Sequence, residues 1–324
     1  MTLELVRFIN RTVELERLAR YAEKGYYPVF FLYGPEGCGK TRLLVEFIKI
    51  IKEKENYVVI YVDAQDTRSI RSCLYGTEDI VSLIPTIVGV VSEPAGKALA
   101  KILPYVIERY FERKILGKHV IIALDDVVRP LGLEIIESYT KKLLDFLEWL
   151  ISRGAKSAFI IATTSEGKSR RLLARHNYVT LHELWNLDPN STKILLNELN
   201  CPQSMLENIW FLTGGNPRAI IELALKNWDI EEWLSNIKVR IRASLEKALG
   251  KFKVELKHVL EDIDSVLDNP KILEILLDAN LIAPIDRPCL GYTPPVNYEL
   301  GIGKYYAWQI PAYREVLKQL LKAS

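Results

Sequence analysis

Gly34-Pro35-Glu36-Gly37-Cys38-Gly39-Lys40-Thr41 stands between an apolar run, Val29-Phe30-Phe31-Leu32-Tyr33, and a segment with Leu43, Leu44, Phe47, Ile48 and Ile51 at helical spacing. The octapeptide fits the pattern G-x-x-x-x-G-K-[ST]. Its glycines let backbone N–H groups converge on phosphate oxygens with no Cβ in the way, and the helix that follows aims its positive end at the same anion. Lys40 is expected to reach the β- and γ-phosphates, and the Thr41 hydroxyl to ligate magnesium. The whole stretch Gly34, Pro35, Glu36, Gly37, Cys38, Gly39, Lys40 and Thr41, with Arg42 beside it, is the candidate nucleotide-binding segment. The bland alternative is a flexible glycine turn. It is disfavoured by context, because a strand buried on both faces precedes the loop and an amphipathic helix follows it.

Strands and helices alternate outward from this point. Before it, Asn10 is placed to cap a helix with Leu15, Leu18, Ala19 and Ala22 on one face. After it, residues 57–62 read as a second buried strand ending at Asp63, and 120–124 as a third ending in Asp125-Asp126. A fourth, 158–162, runs into Thr163-Thr164-Ser165, and a short fifth covers 178–181. Residues 66–118 read as mostly helical, broken by Pro85, Pro94 and Pro104, and 141–151 as an amphipathic helix. This alternation predicts an α/β fold with a parallel sheet and helices on both faces. From Asp188 helices dominate, with a turn at Thr213-Gly214-Gly215-Asn216-Pro217-Arg218. Three further helical stretches precede two short strands, Leu281-Ile282-Ala283-Pro284 and Tyr305-Tyr306-Ala307-Trp308-Gln309, which suggest a winged helix. The expected division is an ATPase core over 1–187, a helical unit over 188–228, which the resemblance described below makes a lid, and a winged-helix-like domain over 229–324.

Asp125 closes an apolar strand, the position from which a carboxylate holds magnesium through water. Asp126 is the candidate for polarising the attacking water. An aspartate pair that merely caps the next segment is the structural alternative.

These residues resemble the archaeal ATPases of the AAA+/STAND group. Phe8-Ile9-Asn10-Arg11 with Glu14-Leu15, the phosphate loop, the Asp125 strand and the Gly215-Asn216-Pro217 turn carry the resemblance, over about residues 1–228 and more weakly beyond. It implies an additional-strand P-loop fold, a three-layer sandwich with strand order 5-1-4-3-2, a helical lid and a C-terminal winged helix. It implies ATP/ADP with Mg2+ rather than GTP, and no Asn-Lys-x-Asp guanine signature is present. By the same resemblance Phe8, Ile9, Asn10 and Arg11 border the adenine, and Thr163 or Thr164 stands at the sensor-1 position. Pro217 matches the lid proline and Arg218 a sensor-2 arginine. Asp126 departs from the family, where glutamate is usual; one methylene less reach favours slow hydrolysis and a switch.

Composition narrows the rest. A net charge of +2 over 324 residues excludes a global basic field, so any nucleic-acid surface is local. The four cysteines have no Cys-x-x-Cys pair, which argues against a zinc site or disulfide framework and fits a cytoplasmic location. The N-terminus reads as no secretory signal, and the greasiest run, 80–91, is too short to span a bilayer. His119, His176, His182 and His258 are scattered and read as structural. Arg170, Arg171 and Arg175 offer either an inter-subunit arginine finger in a nucleotide-dependent oligomer or, more simply, a solvated helix face. Lys238, Arg240, Arg242, Lys247, Lys251, Lys253 and Lys257 form a local basic cluster, suited to phosphates or to plain solvation. Trp228, Trp233 and Trp308 are candidates for docking a protein.

Three functions follow. The first is an ATP-driven switch whose C-terminal domain binds a protein or nucleic-acid partner. The alternative is a DNA-binding remodeller resembling replication initiators. A small-molecule kinase leaves about a hundred C-terminal residues without a role.

Overall fold

The apolar runs become the strands β1 (Val29–Tyr33), β2 (Tyr57–Asp63), β3 (Leu74–Gly76), β4 (His119–Asp125), β5 (Ser157–Thr163) and β6 (Val179–Glu183) of one sheet in a computed structural model. The structure describes residues 6–66, 68, 74–77, 104, 114–164 and 167–323. The apolar run 80–91, and most of the helical expectation over 66–118, lie outside the described residues. The sheet order is β3-β2-β4-β5-β1-β6. All neighbours are parallel except β3, which runs antiparallel to β2 at the edge. Counting parallel strands alone gives 5-1-4-3-2, the expected order. The edge strand β3 corrects the reading of 66–118: Leu74-Tyr75-Gly76 is too short to carry a periodicity, and only pairing with Tyr61 reveals it.

Every residue of β1, β4 and β5 is buried, so their sequences carry no polar alternation. The period of two survives in which core each residue joins. Val29 and Phe31 pack with Ile122, Phe146 and Leu150 on one face, whereas Phe30 and Leu32 pack with Leu18, Leu43, Phe47 and Phe159 on the other. Ile122 and Phe159 belong to neighbouring strands; the other partners come from α1 (Thr12–Lys24) and α2 (Lys40–Lys52) on the second face and, beyond the short α3 (Val128–Leu131), from α4 (Leu133–Ser152) on the first. Each fully buried Phe or Leu contributes about 1.5–3 kcal/mol. α4 begins eight residues before the expected 141, and α5 (Gly167–Leu173) links β5 to β6.

Asn10 does not cap α1. Arg11 holds that position at φ 69 with no side-chain cap, and the Asn10 amide instead donates to Ser191 Oγ at 2.7 Å.

The helices α6 (Pro189–Glu198), α7 (Leu206–Thr213), α8 (Pro217–Leu225), α9 (Ile230–Lys251), α10 (Lys253–Glu261) and α11 (Pro270–Asp278) follow. Asp188, Asn216, Asp229 and Asn269 each accept a first-turn N–H at a helix start, three of them with proline next in line. The two short strands pair as an antiparallel ribbon of β7 (Ile282–Pro284) and β8 (Tyr306–Trp308), and α12 (Pro311–Ala323) closes the chain. α12 was not anticipated, although Tyr313, Val316, Leu317, Leu320 and Leu321 carry helical spacing. Residues from Leu187 to Leu321, with Ile9 of the N-terminal segment, share one continuous core. Trp233 and Trp308 lie inside it, 2% and 1% exposed, so neither docks a partner. Among the described residues, no helix is long and apolar enough to cross a membrane.

The sheet also meets the long β7–β8 loop along a polar seam. Arg170 pairs with Asp286 and stacks over Tyr33, so it is neither a free finger nor a solvated side chain, while Arg171 and Arg175 are exposed. Tyr33 donates to Asp286 at 2.5 Å. Glu183, at the end of β6 and fully buried, accepts from the Asp286 amide at 2.8 Å and the Cys289 thiol at 3.4 Å. Burial pushes its carboxyl up to about 8 from the ordinary 4.5. Between those two values the folded chain holds a proton that the unfolded chain has lost, so this contribution to stability is complete at the acid end and falls as pH rises through the window. We expect Glu183→Gln to flatten that slope. Urea melts from pH 5 to 8.5 should show the wild type losing stability relative to the variant; parallel curves would mean that Glu183 titrates normally.

Candidate functional site

The octapeptide turns from β1 into α2 around a cavity of about 1290 Å3. Two of its glycines are required by close approach. A Cβ on Gly34 would lie 2.0 Å from the Leu184 carbonyl oxygen, and one on Gly37, at φ 79, would lie 2.6 Å from Arg218 Cβ. The loop therefore runs against the chain leaving β6 on one side and the start of α8 on the other. Lys40 is buried, and its ammonium donates to the carbonyls of Gly34 at 2.9 Å and Pro35 at 3.0 Å. Thr41 is exposed at the first turn of α2, and Glu36 through Arg42 line the cavity.

Arg11 holds the loop from outside. Its buried guanidinium donates to Glu14 Oε1, to the Cys38 carbonyl and to the Trp185 carbonyl, each at 2.8 Å. Phe8, Ile9 and Arg11 line the cavity, but Asn10, spent on Ser191, does not. From the start of α8, Pro217 and Arg218 line it, and Arg218 pairs with Glu36 at 2.7 Å.

The carboxylates lie at the C-terminal end of β4. Asp125 is 2% exposed and accepts from Thr163 Oγ1 at 2.5 Å and from the Tyr61 hydroxyl at 3.0 Å. Burial and then the Asp125 charge push the Tyr61 hydroxyl far above its ordinary range, so it remains a donor. Asp126 adopts φ 50, which turns its side chain into the cavity beside Gln65, whose amide donates to it. The Asp126 amide donates to Thr163 Oγ1 at 2.8 Å. Thr163 thus has both hydroxyl functions engaged by the aspartate pair, and the Thr164 hydroxyl meets Ser169 Oγ at 2.6 Å. Neither threonine lines the cavity, nor do Gly34, Pro35 and Asp125. In this geometry Thr163 is engaged by the two aspartates and Thr164 by Ser169.

Several lining residues escaped the sequence reading. Gln65 lies two residues beyond β2, where its backbone N–H donates to the Asp63 carboxylate at 3.0 Å, and Arg129 lies three beyond Asp126. A polar residue at the C-terminal edge of a parallel sheet was the available signal for both. Asp278 and Asn280, beside β7, carried no such signal.

A family described as an ATPase domain predominantly from Archaea matches residues 8–223. An uncharacterized ATP-binding protein of Pyrococcus horikoshii is 25% identical over 287 residues, covering 79% of this chain and 85% of that one. Another, of Methanocaldococcus jannaschii, is 24% identical over 329 residues, covering 88% and 87%. Among solved structures, the Aeropyrum pernix ORC2 protein is 15% identical with a TM-score of 0.47, covering 99% and 97%. Cdc6p of Pyrobaculum aerophilum is 14% identical with a TM-score of 0.42, covering 98% and 96%.

Replacing Thr163 by valine keeps the shape but strips Asp125 of a donor and the Asp126 amide of its acceptor. The expected loss of stability is about 1–3 kcal/mol. A urea midpoint unchanged from the wild type would mean that the carboxylates are held without it.

Proposed function

The chain belongs to the family of ATPase domains found predominantly in Archaea, and on that premise we propose that it binds ATP with magnesium and hydrolyses it slowly, as a switch for a partner. One observation carries this reading: a single cavity is walled by a phosphate loop, by the lid at Pro217 and Arg218, and by C-terminal residues at Asn280. A ligand in it touches all three proposed units, the core over 1–187, the lid over 188–228 and the winged-helix-like domain over 229–324. The β7–β8 ribbon after three helices supports the last assignment. The relatives' names support ATP as the ligand.

The proposed roles follow from chemistry. Loop amides and the positive end of α2 bind phosphate, and Lys40 moves from loop carbonyls to phosphate oxygens. Phe8, Ile9, Leu195 and Ile221 offer an apolar wall for the base. Thr41 and, through water, Asp125 present the oxygen donors that magnesium prefers. Bound there, the ion would neutralise charge on the β- and γ-phosphates. Asp126 accepts a proton from the attacking water. Its shorter reach than glutamate, and its bond to Gln65, support slow turnover.

Lys40→Ala is expected to abolish binding of a fluorescent ATP analogue in a folded protein, and Asp126→Asn to lower turnover about 100-fold or more with affinity nearly intact. Undiminished binding in the first variant would remove the phosphate-loop assignment.

DNA remodelling is the second reading, resting on the basic cluster. Arg240 stays exposed, but its guanidinium bonds to and stacks on Tyr313. Lys238, Arg242, Lys251, Lys253 and Lys257 remain among the described side chains, and Lys251 lies over Phe252. If they contact duplex DNA, log affinity falls with log salt by about 0.9 per phosphate neutralised. Titration at two salt concentrations decides it, and no binding at low salt leaves the switch with a protein partner.

A further inference from the structure

We propose that Asn280 and Gln309 are positioning residues of the phosphate loop, so that the nucleotide site is complete only while the C-terminal ribbon is docked on it. The inference rests on the cavity being the nucleotide site and goes further, because it makes residues beyond the family match part of that site.

Every polar group of Glu36 is held from outside the sheet. Its N–H donates to Gln309 Oε1 at 2.7 Å, and its carbonyl accepts from Asn216 Nδ2 at 2.9 Å. Its carboxylate accepts from Asn280 Nδ2 at 3.0 Å and from Arg218 at 2.7 Å. The two amides come from one ribbon. Asn280 precedes β7 and Gln309 follows β8, and the pairing of Ile282 with Trp308 brings them together. Gln309 is buried, its N–H donates to the Leu281 carbonyl at 2.9 Å, and its own carbonyl accepts from Asn186 at 3.0 Å.

The amides form a chain with one direction. Gln309 Nε2 donates to Asn280 Oδ1 at 2.6 Å, which leaves Gln309 Oε1 to accept from the loop and Asn280 Nδ2 to donate to the carboxylate. Reversing either amide sets donor against donor. Asn280 sits at φ 54, a conformation asparagine tolerates better than most side chains. Burial alone would raise the Glu36 carboxyl pKa. The Arg218 charge, the hydrogen bonds from Asn280 and Arg218, and the Arg240 charge outweigh it, and the carboxyl stays below its ordinary range. Glu36 is therefore an ionised acceptor that suits this cradle.

Because the Glu36 amide is committed to Gln309, the amides left to meet phosphate begin at Gly37. The ribbon thus sets where the phosphate-binding part of the loop starts. Coupling of this kind is reciprocal. A partner that draws the ribbon away weakens nucleotide binding, and nucleotide strengthens docking of the ribbon by the same factor.

The test uses the full chain with Gln309→Met and Asn280→Asp. The first removes the acceptor with little change of shape, and the second sets a carboxylate against that of Glu36. Amide hydrogen exchange at Glu36 and the affinity for N-methylanthraniloyl-ATP with magnesium are both read. The expected result is exchange at Glu36 faster by about tenfold or more, and affinity lower by about tenfold, in either folded variant. The double variant should lose no more than the product of the single losses, as members of one chain do. Nucleotide should slow exchange in β7–β8 of the wild type and not of the variants. Exchange and affinity both within twofold of wild type in either folded variant would overturn the proposal. Failure of the wild type to bind any nucleotide would sink the functional reading alone, since exchange at Glu36 tests the cradle without ligand.

Discussion

A buried guanidinium fixes the phosphate loop in space. Arg11 reaches across from the start of α1 to the carbonyls of Cys38 and Trp185, with Glu14 balancing its charge. A planar fork can satisfy three acceptors at once in a way that an ammonium or an apolar group cannot. Cys38 lies in the loop and Trp185 just beyond β6, so one side chain ties the helix, the loop and the chain leaving the sheet. Removing it would strand two buried carbonyls and an unpaired Glu14, a cost of several kcal/mol by the usual penalty for orphaned buried polar groups. Asn10 and Arg11 both adopt positive φ, 51 and 69, where the chain turns into α1.

Much of the sheet was legible because parallel strands buried on both faces appear in sequence as unbroken apolar runs. β1, β2, β4 and β5 came from such runs, and the phosphate loop from glycine spacing. What stayed hidden depends on partners far away in the chain. β3 has three residues and exists through its pairing with β2. Thr163 stands out by its place at a strand end, but a threonine there does not announce that its hydroxyl serves Asp125 and the Asp126 amide. Arg170 reads as solvated from its helix face, and only Asp286, more than a hundred residues on, withdraws it. Single amides such as Asn280 and Gln309 have no pattern at all; their meaning is the Glu36 cradle.

The C-terminal half is more unified than its sequence suggests. Helices α6 to α12 share one apolar core. Adjacent residues Phe8 and Ile9 go to different places, Phe8 against the core under α1 and α2 and Ile9 into the C-terminal core. The N-terminal segment is in this sense a strap across both.

Tyr33 and Glu36 stand three positions apart in the chain, and each is attached to the C-terminal half, one at Asp286 and the other at Gln309. Two fastenings so close together in the chain at one end, and placed after different strands of the β7–β8 ribbon at the other, make a short crank. A push on the ribbon is delivered to the mouth of β1 as a twist rather than a translation, because neither fastening can slide without the other. Mechanical load applied to the far end of this protein would therefore be concentrated on the few peptide units that lead from strand to loop.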